Sequence, residues 1–413
     1  MKRVVTLSLV FVLMVVMIVN LTSCTTRIYA TDLMKGIKAN EVEGKDVDER
    51  FIQSTARFSM ELFKRSLGED NSLVSPLSVL LALSMTANGA DNETLEQMEK
   101  VLGDDITIDE LNEYLYSYAK GLPNKKKSRF EISNSIWFRE GFNVNDDFLQ
   151  KNADYYKASA YESAFDEQTV KDINNWVKKK TDGLIDEILD NIDDSAVMFL
   201  INAIVFDAEW EKIYEKNDIK ERDFKNIDGT YAKVDMMYSN ESKYISSDNA
   251  AGFVKPYKNK DYSFVAILPN KDISIYDYVE SLDGETFLNL VGGAAKEVVN
   301  AGVPKFKYDY EIVMNGALID MGMEHAFDGR ADFSKMDADL KEGLYISEVL
   351  HKTFISVDEK GTKAGAVTKV EMRDTAGPVS EARVILDRPF VYAIIDNATN
   401  LPLFIGTVVD LGK

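Results

Sequence analysis

Residues Thr362 to Arg373, TKAGAVTKVEMR, carry the alternation of a strand where a strand has little reason to be. One face is Thr362, Ala364, Ala366, Thr368, Val370 and Met372, small to moderately apolar. The other is Lys363, Gly365, Val367, Lys369, Glu371 and Arg373, mostly charged. That period of two is the mark of a half-buried strand. Yet the stretch runs straight into Asp374-Thr375-Ala376-Gly377-Pro378, which is exposed-loop chemistry. A loop with a strand's pattern constrains the fold strongly: it needs a sheet that can take it in under some condition.

The rest of the chain is large enough to supply one. It has 413 residues, 45% of them hydrophobic, and a formal net charge of −21. An acidic chain repels phosphate backbones, so nucleic acid is excluded as a partner. The N-terminus reads as a targeting segment. Lys2 and Arg3 precede an almost unbroken apolar run from Val4 to Val19, of signal-peptide length and short for a membrane span. Leu21-Thr22-Ser23-Cys24 then resembles the lipobox of bacterial lipoproteins, with Cys24, the only cysteine, as the lipid attachment site. Residues 1–23 are thus expected to be a signal peptide and 24–45 a lipid-anchored tether without apolar periodicity. The globular part, 46–413, is expected outside the cytoplasmic membrane, retained by its anchor or secreted.

Within that part, helices are predicted over Glu49–Leu67, from Pro76 to about Asn88-Gly89, and over Glu93–Leu102. Ser75 is a suitable N-cap, with Pro76 at the first helical position. A further helix carries Val170, Ile173 and Val177. Ile132–Arg139 reads as a strand. Ala196–Phe206, apolar on both faces and interrupted only by Asn202, reads as a central one. Phe264–Leu268 is a second buried strand, and Phe390–Ile395 with Leu403–Val409 an antiparallel pair. Helices early and strands late give an α+β class in one domain.

No catalytic constellation is visible. The two histidines, His325 and His351, do not stand in a metal-binding spacing, and no cofactor or phosphate-binding motif occurs. Cys24 is committed to the anchor. The 69 carboxylates allow many accidental acid pairs, so no glycosidase-like dyad can be argued. Lys120, Lys125, Lys126, Lys127 and Arg129 form a basic cluster that reads as a solvated loop. Trp137, Trp176 and Trp210 read as interior residues.

Several ordered segments resemble the serpin family across essentially all of 46–413. They are LVSPLSVLLALSMTANGADNETLEQM, LINAIVFDAEWEKIY, the run from VPKFKYDYEIVMNG to LYISEVLHKTFISVDEKGTKAGAVT, and RPFVYAIIDNATNLPLFIGTVVD. The resemblance implies three β-sheets, about nine helices and an exposed reactive-centre loop, here about 359–386. It implies a protease inhibitor rather than an enzyme, a monomer whose partner is a serine or cysteine protease. The protease cleaves the loop, the loop inserts into the main sheet, and the acyl-enzyme is trapped. By the same resemblance Glu359, Lys360, Gly361 and Thr362 are the hinge that enters first, with Gly361 giving freedom to bend, and Ala364, Ala366 and Thr368 follow. Lys305 is expected to pair with Glu359. Trp210 matches the breach at the top of the sheet, and Ser75, Ser78, Asn202 and His351 match the shutter below it.

The chain departs from the family at Lys363, where an acidic residue is common, and at Val367, where Ala is common; both face outward. Gly361 to Pro389 is about three residues longer than in well-known inhibitors. Counting from the hinge puts the cleaved bond at Thr375-Ala376, counting back from Pro389 puts it near Pro378, and Arg373-Asp374 is a further candidate. A small residue at the cleaved position suits an elastase-like or subtilisin-like enzyme. A non-inhibitory serpin acting as a binding module is the alternative; its hinge would usually carry bulky or charged residues or Pro.

Overall fold

The structure is a computed structural model and describes residues 27–337, 339, 343–362 and 382–412. In chain order its strands begin with β1 (Thr31–Asp32), β2 (Ser72–Val74), β3 (Ser128–Arg139), β4 (Ser159–Ser163) and β5 (Met198–Glu209). They continue with β6 (Ile219–Lys225), β7 (Tyr231–Glu241), β8 (Tyr244–Ser246), β9 (Ala250–Pro256) and β10 (Tyr262–Pro269). The last are β11 (Val299–Pro304), β12 (Phe306–Val313), β13 (Glu348–Val357), β14 (Gly361–Thr362), β15 (Ala382–Ile385), β16 (Phe390–Asp396) and β17 (Pro402–Val408). The helices are α1 (Glu49–Arg65), α2 (Pro76–Ala87), α3 (Asn92–Leu102), α4 (Ile108–Gly121), α5 (Asp146–Tyr156), α6 (Glu167–Lys180), α7 (Ile275–Glu280), α8 (Gly284–Gly292) and α9 (Asn315–Asp320). Three sheets result: a main sheet ordered β1-β4-β3-β5-β14-β13-β12, a second ordered β2-β17-β16-β10-β9-β8, and a small one ordered β15-β11-β7-β6.

Local chemistry explains where the helices start. The Asp48 carboxylate accepts the Phe51 amide at 3.0 Å and opens α1. Asp166 and Thr169 form a reciprocal box at the start of α6. At α2 Pro76 does hold the first turn, but Ser75 is not a side-chain cap. Its hydroxyl donates instead to the Leu403 carbonyl at 2.7 Å, because α2 is buried along its whole length and its start is pressed against β17. α2 thus fills the space between the main and second sheets, where apolar residues on every side are an advantage.

The central strand is β5, paired antiparallel to β3 along its length. On its outer face α6 contributes Ile173, Trp176 and Val177 to a separate apolar cluster with Trp137, Phe199 and Ile201. Of the basic cluster, at the turn that opens β3, three members stand in ion pairs: Lys125 with Asp261 at 2.8 Å, Lys127 with Glu209 at 2.9 Å, and Arg129 with Glu131 and Asp182.

The tether expected over 24–45 is replaced, from residue 27, by a segment laid on the body. The amides of Tyr29 and Ala30 donate to the buried Asp172 carboxylate on α6 at 2.7 and 2.6 Å. β1 adds a short antiparallel strand to β4 at the edge of the main sheet. Further on, Asn40 bonds Asp154 of α5, and Lys45 pairs with Glu110 of α4. Backbone and carboxylate bonds hold the segment together with Ile28, Leu33, Met34 and Ile37 packed against the core, a spacing with neither helical nor strand periodicity. Cys24 and the expected signal peptide lie outside the described residues.

Candidate functional site

The site is the top of the seam between β5 and β13. These two strands are parallel and pair directly at Phe199–Asn202 with Glu348–His351. Above that point the pairing stops: among the described residues no ladder joins Ala203–Asp207 to Lys352–Ser356 across the seam. At the top, β14 sits between them, Gly361 opposite Glu209 and Thr362 opposite Ala208 on one side, Thr362 opposite Val357 on the other.

The turn that feeds β14 is tightly held. Asp358 accepts the amides of Lys360 and Gly361 on its carboxylate at 2.8 and 3.2 Å, and its own amide donates to the Gly361 carbonyl at 3.0 Å. Carbonyls of the turn are taken up by residues just past β5. The Trp210 indole donates to Asp358 O at 2.9 Å, its amide to Lys360 O at 2.8 Å, and the Tyr214 amide to Glu359 O at 2.9 Å. Gly361 was expected to supply freedom to bend, but the structure gives a different reason. A Cβ at this position would lie 2.0 Å from the Ala208 carbonyl oxygen, so only glycine lets β14 come this close to β5.

Thr362 is buried, and its hydroxyl lies 2.6 Å from that of Tyr257. The Tyr257 ring stacks on Trp210 at 4.7 Å between centroids, and burial pushes its hydroxyl well above the usual range, so it stays protonated. Thr362 therefore marks the inward face of the alternation. Lys305 joins Glu359 at 3.0 Å and Asp235 at 3.6 Å. Burial opposes the charge of both members of the Lys305–Glu359 pair, yet their hydrogen bond and mutual attraction leave the Glu359 carboxyl below its ordinary range and the Lys305 ammonium above.

Sequence reading missed the groups beneath this turn. Lys255 and Glu241 form a buried ion pair at 2.8 Å, with the Lys255 ammonium 4.3 Å from the Tyr214 ring centroid and 5.4 Å from that of Trp210. Burial works against the Lys255 charge, but Tyr214 and Glu241 outweigh it and raise the ammonium. A lysine inside the apolar run of β9, AAGFVKP, is the signal that could have found it. Tyr257 and Asp358 carry no such signal.

The second group lies at the lower, closed part of the seam. Asn202 of β5 and His351 of β13 face each other in register. The His351 Nε2 accepts the Ser75 amide at 3.1 Å, so the proton is on Nδ1, 3.3 Å from Asn202 Oδ1. The same oxygen accepts the Ser78 hydroxyl at 2.6 Å. The Asn202 amide donates to Ser78 O at 2.8 Å and to Asn134 Oδ1 at 2.6 Å. Asn134 was not foreseen. Burial pulls His351 down to about 3, so the ring is neutral and the cluster carries no charge. The four residues expected together are together, each with a hydrogen-bond partner.

Ala364, Ala366, Thr368, Arg373, Asp374, Thr375 and Ala376 lie outside the described residues. The C-terminal end of the expected loop is a strand: β15 pairs in parallel with β11, from Ala382 opposite Val299 to Ile385 opposite Gly302. Among the described residues no group of His, Cys, Asp and Glu is placed to hold a metal.

A family model described as "Serpin (serine protease inhibitor)" matches residues 53–411. Serpin B4 of Homo sapiens is 29% identical, over 86% of this chain and 97% of its own length. Serpin-Z2B of Triticum aestivum is 31% identical, over 83% and 90%. Among solved structures, the thermophilic serpin Tengpin in its native state is 57% identical over 92% of this chain and 100% of its own, with a TM-score of 0.89. The same serpin in its latent state gives 56%, coverage of 89% and 100%, and a TM-score of 0.79. The arrangement is thus nearer the native than the latent form. The three sheets, the seam and these matches agree: the chain belongs to the serpin family.

Proposed function

We propose that this serpin inhibits a serine protease by offering its loop as a substrate and then inserting the cleaved loop into the main sheet. The observation that carries the reading is the seam: β14 occupies its top, and the ladder below it is unfilled among the described residues down to the Asn202–His351 pair.

The register makes the proposal specific. Continued from Gly361–Glu209 and Thr362–Ala208, the strand brings Ala364 opposite Phe206, Ala366 opposite Ile204 and Thr368 opposite Asn202. Counted against β13, Thr368 also comes opposite His351. Both sides of the seam agree, because Asn202 and His351 are themselves in register. Thr362 faces Tyr257, so Ala364, Ala366 and Thr368 share its inward face and are small enough to pass. Met372 comes opposite Met198, the first residue of β5, so Gly361–Met372 matches that strand from end to end. Each new backbone hydrogen bond contributes a net of about 0.5–1.5 kcal/mol, and a dozen residues of ladder amount to a large driving force. To let Thr368 in, β5 and β13 must part below the hinge, and the Asn202–His351 contact must open.

The target is a serine, or else a cysteine, protease of elastase-like or subtilisin-like preference, and it cuts the loop at Thr375-Ala376. The protein works as a monomer, outside the cytoplasmic membrane, held by lipid on Cys24 or shed. Mass spectrometry of the loop after incubation with an elastase-like protease tests the cleavage. A new terminus at Ala376 is expected. A terminus at Asp374 or beside Pro378 would overturn the assignment of the bond.

A further inference from the structure

A cavity of about 450 Å³ opens where the small sheet meets the second sheet, beside the strand that anchors the loop's C-terminal end. Arginines from three places line it: Arg222 on β6, Arg383 on β15 and Arg388 in the turn before β16. Leu268 of β10 and Val384 of β15 give it apolar walls. In a chain of net charge −21, three guanidinium groups around one cavity stand out.

Their existing contacts leave them able to take more. The two carboxylates of the lining are already paired, Asp223 with Lys233 at 2.7 Å and Asp387 with Arg388 at 3.1 Å. Arg388 also donates to the Pro269 carbonyl at 2.8 Å, which fixes its plane. Arg222 donates to the Tyr238 hydroxyl at 3.2 Å and the Glu221 carbonyl at 3.3 Å, both neutral acceptors. Among the described residues neither Arg222 nor Arg383 makes an ion pair. A guanidinium has five N–H groups, so each of the three keeps donors for an oxyanion, and planar forks suit phosphate and carboxylate oxygens.

We propose that this cavity binds a small polyvalent oxyanion of the phosphate or carboxylate class. Its occupant bridges β15 to β6 and to the turn before β16. β15 is four residues long and among the described residues pairs only with β11, so such a bridge fastens the anchored end of the loop to the body. The site does not depend on the inhibitory reading above.

Titration calorimetry with inorganic pyrophosphate tests the site, with sodium chloride at matched ionic strength as the control for screening. One saturable site is expected, weakened by about tenfold or more in Arg222→Ala and in Arg383→Ala. Both side chains are exposed, so neither change endangers the fold. Amide exchange at Ala382–Ile385 should slow when the site is filled. No saturable binding, or binding unchanged in both variants, overturns the site. Binding that leaves exchange at Ala382–Ile385 unchanged overturns the fastening role.

Discussion

Two residues mark the two ends of the seam, Gly361 at the hinge and His351 at the closed part, and each acts through contacts that can be removed singly. Gly361 permits the approach of β14 to β5; in Gly361→Ala the new methyl meets the Ala208 carbonyl. That variant should displace β14 and lower stability by about 1–3 kcal/mol, with faster amide exchange at Gly361 and Thr362. Exchange and melting equal to the parent would show that glycine is not needed there. His351 makes a different prediction. Its folded value, about 3, is depressed from an ordinary 6.5, so between those pH values the unfolded chain binds the extra proton. The stabilisation is therefore full above about 6.5 and fades as pH falls toward 3, a loss on the order of a few kcal/mol. His351→Gln has no proton to take up, and its stability should fall less steeply over that window in denaturant titrations. Parallel profiles for the two proteins would contradict a neutral, buried His351.

At the scale of elements, the sequence was most legible where one pattern dominated. The fully apolar run around Asn202 became central β5, the Pro76 start became α2, and the paired C-terminal runs became β16 and β17. Asn202, the polar break in that apolar run, lies in β5 beside His351, Ser75 and Ser78, the residues that the resemblance grouped with it. Residues 27–45 were illegible because their order comes from partners distant in sequence, above all Asp172, not from any periodicity of their own. The same is true of Ser75, a good cap by type whose hydroxyl is claimed by β17. The close approach that only glycine permits at 361 needed the position of Ala208. Removing the Asp172 carboxylate in Asp172→Ala leaves the amides of Tyr29 and Ala30 without their acceptor, at a cost of about 1–3 kcal/mol. Thermal unfolding should register that loss, and exchange at residues 29–33 should rise. A free tether would show neither change.

At the scale of the whole molecule, the main sheet is unfilled between β5 and β13 among the described residues. Its strands β5 and β13 close up to the Asn202–His351 pair, and among the described residues only Gly361–Thr362 lie between them above it. The alternation at Thr362–Arg373, in this view, is the strand the seam awaits, with its small face turned toward Tyr257 as Thr362 already is. In the proposed mechanism, completing the sheet supplies the work done on the protease. The most direct measurement is a denaturing gel of the protein mixed with an elastase-like or subtilisin-like protease, run beside Thr362→Arg. The account predicts a covalent adduct that survives boiling in detergent for the parent, and clean cleavage at the same bond without adduct for the variant, whose arginine cannot enter beside Tyr257. Cleavage without adduct for the parent, or full trapping by Thr362→Arg, would contradict it.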